Sequence, residues 1–278
     1  LSIMTAPALK YEVIKLLTRL TDAVRRQINP LRQAYRFLGM IDFIRAKARL
    51  SLRVGGSLPK ISDSPMLRWE NARHPLLLLS LKEQKKDIVP LNISLDNENH
   101  ILIISGPNAG GKSVCLKTVG LLQYMVQCGL LIPIAENSEV GIFDSVFIDI
   151  GDEQSIENDL STYSSHLTNM KQTLKNSSNS SLVLIDEFGT GTEPNFGGAI
   201  AEAILGALVE RRVFGVITTH YTNLKEFGEH TLGVQNGAMR FDIQKLEPLY
   251  VLEIGKPGSS FALEIARKIG LSNEVIER

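Results

Sequence analysis

One short run constrains this chain more than any other feature. Gly106-Pro107-Asn108-Ala109-Gly110-Gly111-Lys112-Ser113 is a full G-x-x-x-x-G-K-[ST] pattern, and the apolar run Ile101–Ser105 feeds directly into it. A strand that turns through glycines straight into a helix leaves backbone N–H groups facing inward at the helix N-terminus, where an anion is stabilised. Lys112 adds a point charge for β and γ phosphates, and Ser113 adds a hydroxyl for Mg²⁺. An ordinary glycine-rich turn is the competing reading, and the strand before the run and the helix after it weigh against that. The run implies a nucleotide site.

Further along, Leu182-Val183-Leu184-Ile185 reads as a buried strand ending in Asp186-Glu187. A carboxylate at that tip, Asp186, can hold the metal through water; Glu187 can orient and deprotonate the attacking water. Alone, such a pair is usually a plain strand end. Paired with the glycine loop it completes a hydrolytic set, and it argues against Ras-type GTPases, which position water with glutamine. Thr218-Thr219-His220 closes the next apolar run, so His220 can reach a γ-phosphate beside Glu187. Between the two lies Asn158-Asp159-Leu160-Ser161-Thr162-Tyr163-Ser164-Ser165-His166. Ser161 suits an N-cap for a helix whose buried face is Leu167, Met170 and Leu174. A capped helix start can meet a phosphate, although from spacing alone capping without a ligand is the simpler reading.

Composition adds an asymmetry. Over the whole chain thirty Lys and Arg balance thirty Asp and Glu, yet residues 1–60 hold twelve basic residues against three acidic ones. A basic arm therefore precedes an acidic body, which fits either a polyanion contact or a solvated helix face. The 278 residues, 44% hydrophobic, suffice for one large α/β domain or about two domains, and exclude global disorder. Cys115 and Cys128 have neither disulfide-scaffold nor metal-site spacing and read as buried free thiols in a reducing compartment. Thr118 to Ala135 is uncharged for 18 residues, but Gln123, Gln127, Gly129 and Pro133 interrupt it. It reads as a buried helix ending at Gly129, not a membrane span. The expectation is a soluble cytoplasmic protein with no membrane partner.

Apolar residues recur at helical spacing from about Pro7 to Leu52, with Pro30 expected to break the stretch into two helices. Residues 55–65, rich in Gly and Pro, read as a linker. After it, strands are expected around Met66–Trp69, Ile88–Leu95, His100–Ser105, Ser145–Ile150, Leu182–Ile185 and Val213–Thr219, alternating with helices beyond Lys112. That alternation predicts an α/β fold with a mostly parallel sheet flanked by helices.

The order of glycine loop, Ser-Thr segment, Asp-Glu strand and strand-tip His resembles the ABC-type ATPases, and the local spellings resemble the MutS family. GPNAGGKS (Gly106–Ser113) with RHP (Arg73–Pro75) upstream is similar to that family, as is STYSSH (Ser161–His166) where a transporter ATPase would carry Leu-Ser-Gly-Gly-Gln. DIGDEQSIENDLSTYSSH (Asp149–His166), DEFGTGTEP (Asp186–Pro194), GKPGSSFALEIARKIGLSNEVIER (Gly255–Arg278) and FLGMIDFIRAKARL (Phe37–Leu50) resemble the MutS-two branch, so the likeness covers nearly the whole chain. A mismatch-repair MutS, a transporter ATPase subunit and a non-hydrolysing nucleotide-dependent dimerisation module are the competing readings. The Glu187-Phe188-Gly189 spelling and the C-terminal run count against the first, Ser161–His166 against the second, and the intact Glu187 against the third.

The resemblance implies an ABC-type P-loop ATPase fold with a small antiparallel β subdomain and an N-terminal helical segment. Its division would be 1–54 as helical core and lever, 55–65 as linker, and 66–278 as ATPase domain. It also implies a homodimer with two composite ATP–Mg²⁺ sites. Ser161 and Thr162 of one subunit would close over the γ-phosphate held by Lys112 and Asn108 of the other. Clamping of branched DNA to suppress homologous recombination, or of stalled ribosomes for rescue, are both implied activities. Clamp, mismatch-reading and Smr nuclease domains would lie outside this sequence.

Overall fold

A computed structural model describes residues 6–107, 110–150, 159–242, 244–245 and 247–258. Two compact units divide after Leu50. The first contains α1 (Ala6–Arg25) and most of α2 (Ile28–Val54). The break falls at Arg26–Gln27, ahead of Pro30, where it had been expected. Pro30 lies in the first turn of α2, where a missing N–H leaves no helical bond unmade, so the proline follows the break. Every residue from Pro7 to Ala46 is exposed, including the apolar stripe Leu9, Val13, Leu16, Leu20 and Val24.

The second unit holds two sheets. The larger has the order β10 (Glu247–Ile254), β9 (Val234–Asp242), β4 (Ile101–Ser105), β8 (Phe214–Thr218), β7 (Ser181–Ile185), β6 (Ser145–Asp149). Its strands from β9 to β6 run parallel, and β10 returns antiparallel along β9. Every residue of β4, β7 and β8 is buried, as strands covered on both faces require. Ile101, Ile103, Val183, Ile185 and Ile217 pack into one core with Ala201, Leu205 and Leu208 of α6 (Pro194–Glu210) and Leu224 of α7 (Thr222–His230). On the other face α4 (Lys112–Gln127) presses Gly120 against Leu184: a Cβ there would stand 2.8 Å from the leucine methyl. The register Ile104↔Thr218 and Ile185↔Ile217 sets the C-terminal ends of β4, β8 and β7 side by side. That edge is where open α/β sheets bind ligands.

The smaller sheet has the order β1 (Lys60–Ser62), β5 (Glu139–Gly141), β2 (Leu67–Ala72), β3 (Leu91–Leu95). It is mixed, not purely antiparallel as expected: β1 runs parallel to β5, while β2 is antiparallel to both β3 and β5. The long connection between β1 and β5 allows the parallel pairing. Strand β1 comes from the stretch that composition alone marks as linker. Between β2 and β3, α3 (Pro75–Glu83) starts on a proline and is capped by His74, whose ring accepts from the Leu77 N–H at 3.4 Å.

The first part of the uncharged segment from Thr118 is the second half of α4, which is capped at Cys128 and turned out through Gly129 at φ 67°. Cys115 on it is buried, but Cys128 is exposed, correcting the expectation of two buried thiols. The thiol of Cys128 follows the last helical turn, where the apolar pattern no longer reports burial. No helix among the described residues is long and apolar enough to cross a membrane. Gln123, fully buried in mid-helix, donates to the Gly141 carbonyl at 2.9 Å and to Gln127 Oε1 at 2.8 Å, tying α4 to the small sheet. Gln123→Leu leaves those acceptors short of a buried donor, so we expect a loss of about 1–3 kcal/mol in urea unfolding.

Candidate functional site

The glycine loop leaves β4 and enters α4 through Gly111, which sits at φ 95° as the helix N-cap. That left-handed turn suits glycine, and a Cβ there would come 3.0 Å from the Tyr250 ring. Lys112 follows as the first helical residue and is buried. Its Nζ donates to the carbonyls of Gly106 at 2.8 Å and Pro107 at 3.1 Å, and lies 3.3 Å from His220 Nε2. An ammonium only donates, so this contact needs Nε2 as a bare acceptor and the ring neutral. Burial pulls the Lys112 pKa below its ordinary value, with Lys225 adding to the fall, while Glu187 and Asp186 oppose it. Burial, then Lys112 and Lys225, hold the His220 imidazole below 6.5, against Asp186. Ser113 lies half-buried in the first turn of α4; Asn108 and Ala109 lie outside the described residues.

Asp186 and Glu187 follow β7 directly. Beside them stands Thr218, the last residue of β8, whose buried hydroxyl donates to Asp186 Oδ1 at 2.5 Å and accepts the Glu187 N–H at 2.8 Å. Glu187 itself adopts φ 49°, a left-handed backbone that costs a non-glycine residue about 1 kcal/mol or more. The hydroxyl therefore both orients the first acid and fixes the peptide of the second. Sequence reasoning passed over Thr218; its signal was its place two residues before the strand-tip histidine. Lys112, Asp186, Glu187 and His220 thus share one end of the sheet.

Ser161 and Thr162 lie within α5 (Asp159–Asn176), and their side chains fall outside the described residues. The expected N-cap role of Ser161 is corrected: Asp159 and Leu160 already have helical backbone, so the helix is under way before the serine. Its buried face is as expected, with Met170 buried and Leu167 and Leu174 partly so.

Beside Gly111 opens a cavity of about 510 Å³. Tyr250, Met239, Val114, Ile88 and Val89 give it apolar walls, and His74 lines it as well. Cys115 on its lining is inert as a nucleophile, its thiol pushed up to about 12 by burial. No sequence pattern announced this cavity, because its walls come from three separated segments. Among the described residues no cluster of three or more His, Cys, Asp and Glu side chains could hold a metal ion.

A parallel sheet whose strand ends gather a lysine, two acids and a histidine beneath a glycine loop has the make-up of an α/β ATPase domain. The chain belongs to the MutS family: the profile of MutS domain V matches residues 102–278. It is 44% identical to an "Endonuclease MutS2" of Finegoldia magna over 95% of its length, covering 33% of that protein. Proteins of the same name from Carboxydothermus hydrogenoformans and Geobacillus thermodenitrificans are each 45% identical, over 95% and 97% of the chain and 33% and 34% of their own lengths. The chain thus spans about a third of these relatives and corresponds to the ATPase portion of the MutS2 branch.

The shift at His220 gives a signed expectation. A ring that binds its proton less firmly folded than unfolded favours folding above pH 6.5, and that contribution is lost as pH falls from 6.5 through the folded value. An NMR titration should place the His220 midpoint below 6.5, and Lys112→Met should move it upward without restoring it fully, since burial remains.

Proposed function

We propose that this chain is an ABC-type P-loop ATPase unit, working as a homodimer with two composite sites. The observation that carries the reading is the Thr218 hydroxyl joining Asp186 to the Glu187 peptide, beside the buried Lys112 and the strand-tip His220. Phosphates seated on the loop from Gly106 to Ser113, with Asn108 and Ala109, would draw the Lys112 ammonium from its carbonyl partners onto β and γ oxygens. Glu187 takes a proton from the attacking water as its oxygen bonds to the γ-phosphorus and the bond to the β-bridging oxygen breaks. Neutral His220 offers a donor to the γ-phosphate. Ser113 and Asp186 provide one hydroxyl and one carboxylate, the sparse set that suits Mg²⁺ holding waters and phosphate oxygens besides. When bound, that ion neutralises charge developing on the phosphates. The cavity beside Gly111 suits the base: it adjoins the loop, and Tyr250 offers an aromatic face.

In the composite site, Ser161 and Thr162 of α5 close over the γ-phosphate held by the other subunit. The chain divides functionally into residues 1–54, a helical core and lever, and 66–278, the ATPase domain, with 55–65 between them supplying β1 to the small sheet. ATP-driven closure then works through the basic helices on a clamp that grips branched DNA or collided ribosomes. The relatives' name, with its endonuclease, speaks for a nucleic-acid target, and the exposed arginines of α1 and α2 supply the matching charge.

We expect Lys112→Ala to abolish tight ATP binding, while Glu187→Ala keeps binding and lowers turnover by about 10²–10⁴-fold. Equilibrium nucleotide binding and steady-state hydrolysis separate the two, and a Glu187→Ala rate near wild type would remove Glu187 as the base.

The dimer has its own test. Ser161→Asp should spare ATP binding to the monomer yet block ATP-dependent association and slow turnover. Mixed with Lys112→Ala protein it should recover hydrolysis, because one site of the mixed dimer pairs an intact loop with an intact Ser161. No recovery, where mixed dimers form, would sink the role in trans.

A further inference from the structure

One carboxylate fastens α5 to the strand ends that carry the acids. Asp149 closes β6 and is buried. Its Oδ2 lies 2.7 Å from His166 Nδ1, and its Oδ1 accepts from Asn169 Nδ2 at 2.9 Å, both partners on α5. Its main-chain carbonyl accepts the Asp186 N–H at 2.9 Å. Three residues before His166, Tyr163 packs on the loop after Glu187, since a Cβ built on Gly191 would stand 3.5 Å from that of Tyr163. The Tyr163 hydroxyl is buried without a hydrogen-bond partner among the described residues, in a small cavity shared with His166, Asp186, Glu187 and Gly189.

Apolar contact at Met170 already docks α5 on the sheet. Such contact is non-directional and tolerates rotation or sliding of the helix. Two hydrogen bonds to one buried carboxylate do not, because charge-assisted bonds are strong and directional, and a half-satisfied buried network is costly. The Asp149 group is therefore a pin that sets the angle and height of α5.

We propose that Asp149, through His166 and Asn169, is a positioning residue that fixes how α5 presents Ser161 and Thr162 to the partner's γ-phosphate. Its peptide carbonyl, continuing the β6–β7 ladder, holds the same residue beside the chain's own Asp186. This rests on the composite dimer proposed above.

Asp149→Asn keeps the shape and removes the charge. In the full chain we expect kcat to fall about tenfold with KM for ATP unchanged within about twofold. Mixing it with Lys112→Ala protein should restore hydrolysis above either variant alone, because the site formed by the intact loop of one chain faces an intact Asp149–α5 unit on the other. His166→Gln, which leaves the carboxylate in place, should give the same pattern at smaller amplitude and serves if Asp149→Asn fails to fold. Wild-type turnover in both variants overturns the proposal. So does a mixture with Lys112→Ala that is no more active than Asp149→Asn alone while the Ser161→Asp mixture recovers, since Asp149 then acts only within its own chain. If neither mixture recovers although mixed dimers form, the composite dimer itself is wrong.

Discussion

The buried ammonium of Lys112 organises the strand ends. Taking a cation out of water costs several kcal/mol unless acceptors replace the lost hydration. Here the Gly106 and Pro107 carbonyls, the bare Nε2 of His220 and the nearby acids share that task. Burial still holds the lysine pKa below its ordinary value. A buried cation held on carbonyl oxygens gains from an anion brought to it, which is the physical link between this lysine and a phosphate ligand.

Much of this was legible before the structure. Strands β4, β7 and β8 are covered on both faces, so their apolar residues run without a break and need no periodicity to be read. The glycine loop and the Asp-Glu pair announce themselves because their chemistry is local in sequence. Strands β9 and β10 escaped, since Gln235, Asn236 and Gly237 interrupt one and the other is mostly exposed or half-covered. Thr218 and Asp149 escaped for a different reason. Each is an unremarkable residue at a strand end until register puts it beside Asp186 or α5. Ser161 illustrates the reverse error: serine is a favoured cap, but the helix already includes Asp159, and local propensity yields to the chain that precedes it.

The site is therefore built at two levels. Residues that meet phosphate come from contiguous motifs, while residues that hold those motifs in place come from across the sheet. Thr218 sets the spacing of β7 against β8 at the acids, and Asp149 sets β6 against α5. Substitutions at the second level leave the motif spelling intact and change what it can do.

The bare helices α1 and α2 carry a thermodynamic consequence. Every residue from Pro7 to Ala46 is exposed, so melting of this stretch uncovers less apolar surface than melting of the buried sheet and raises the heat capacity less. Most helical stability in proteins comes from packing of an apolar face, which residues 7–46 lack in this chain, so these residues unwind by gradual fraying. The unit from Ser51 onward, with its buried sheet, loses structure cooperatively. A circular-dichroism melt of this chain is then the sum of a slope and a step, and its midpoint need not match the calorimetric peak, which reports the step alone.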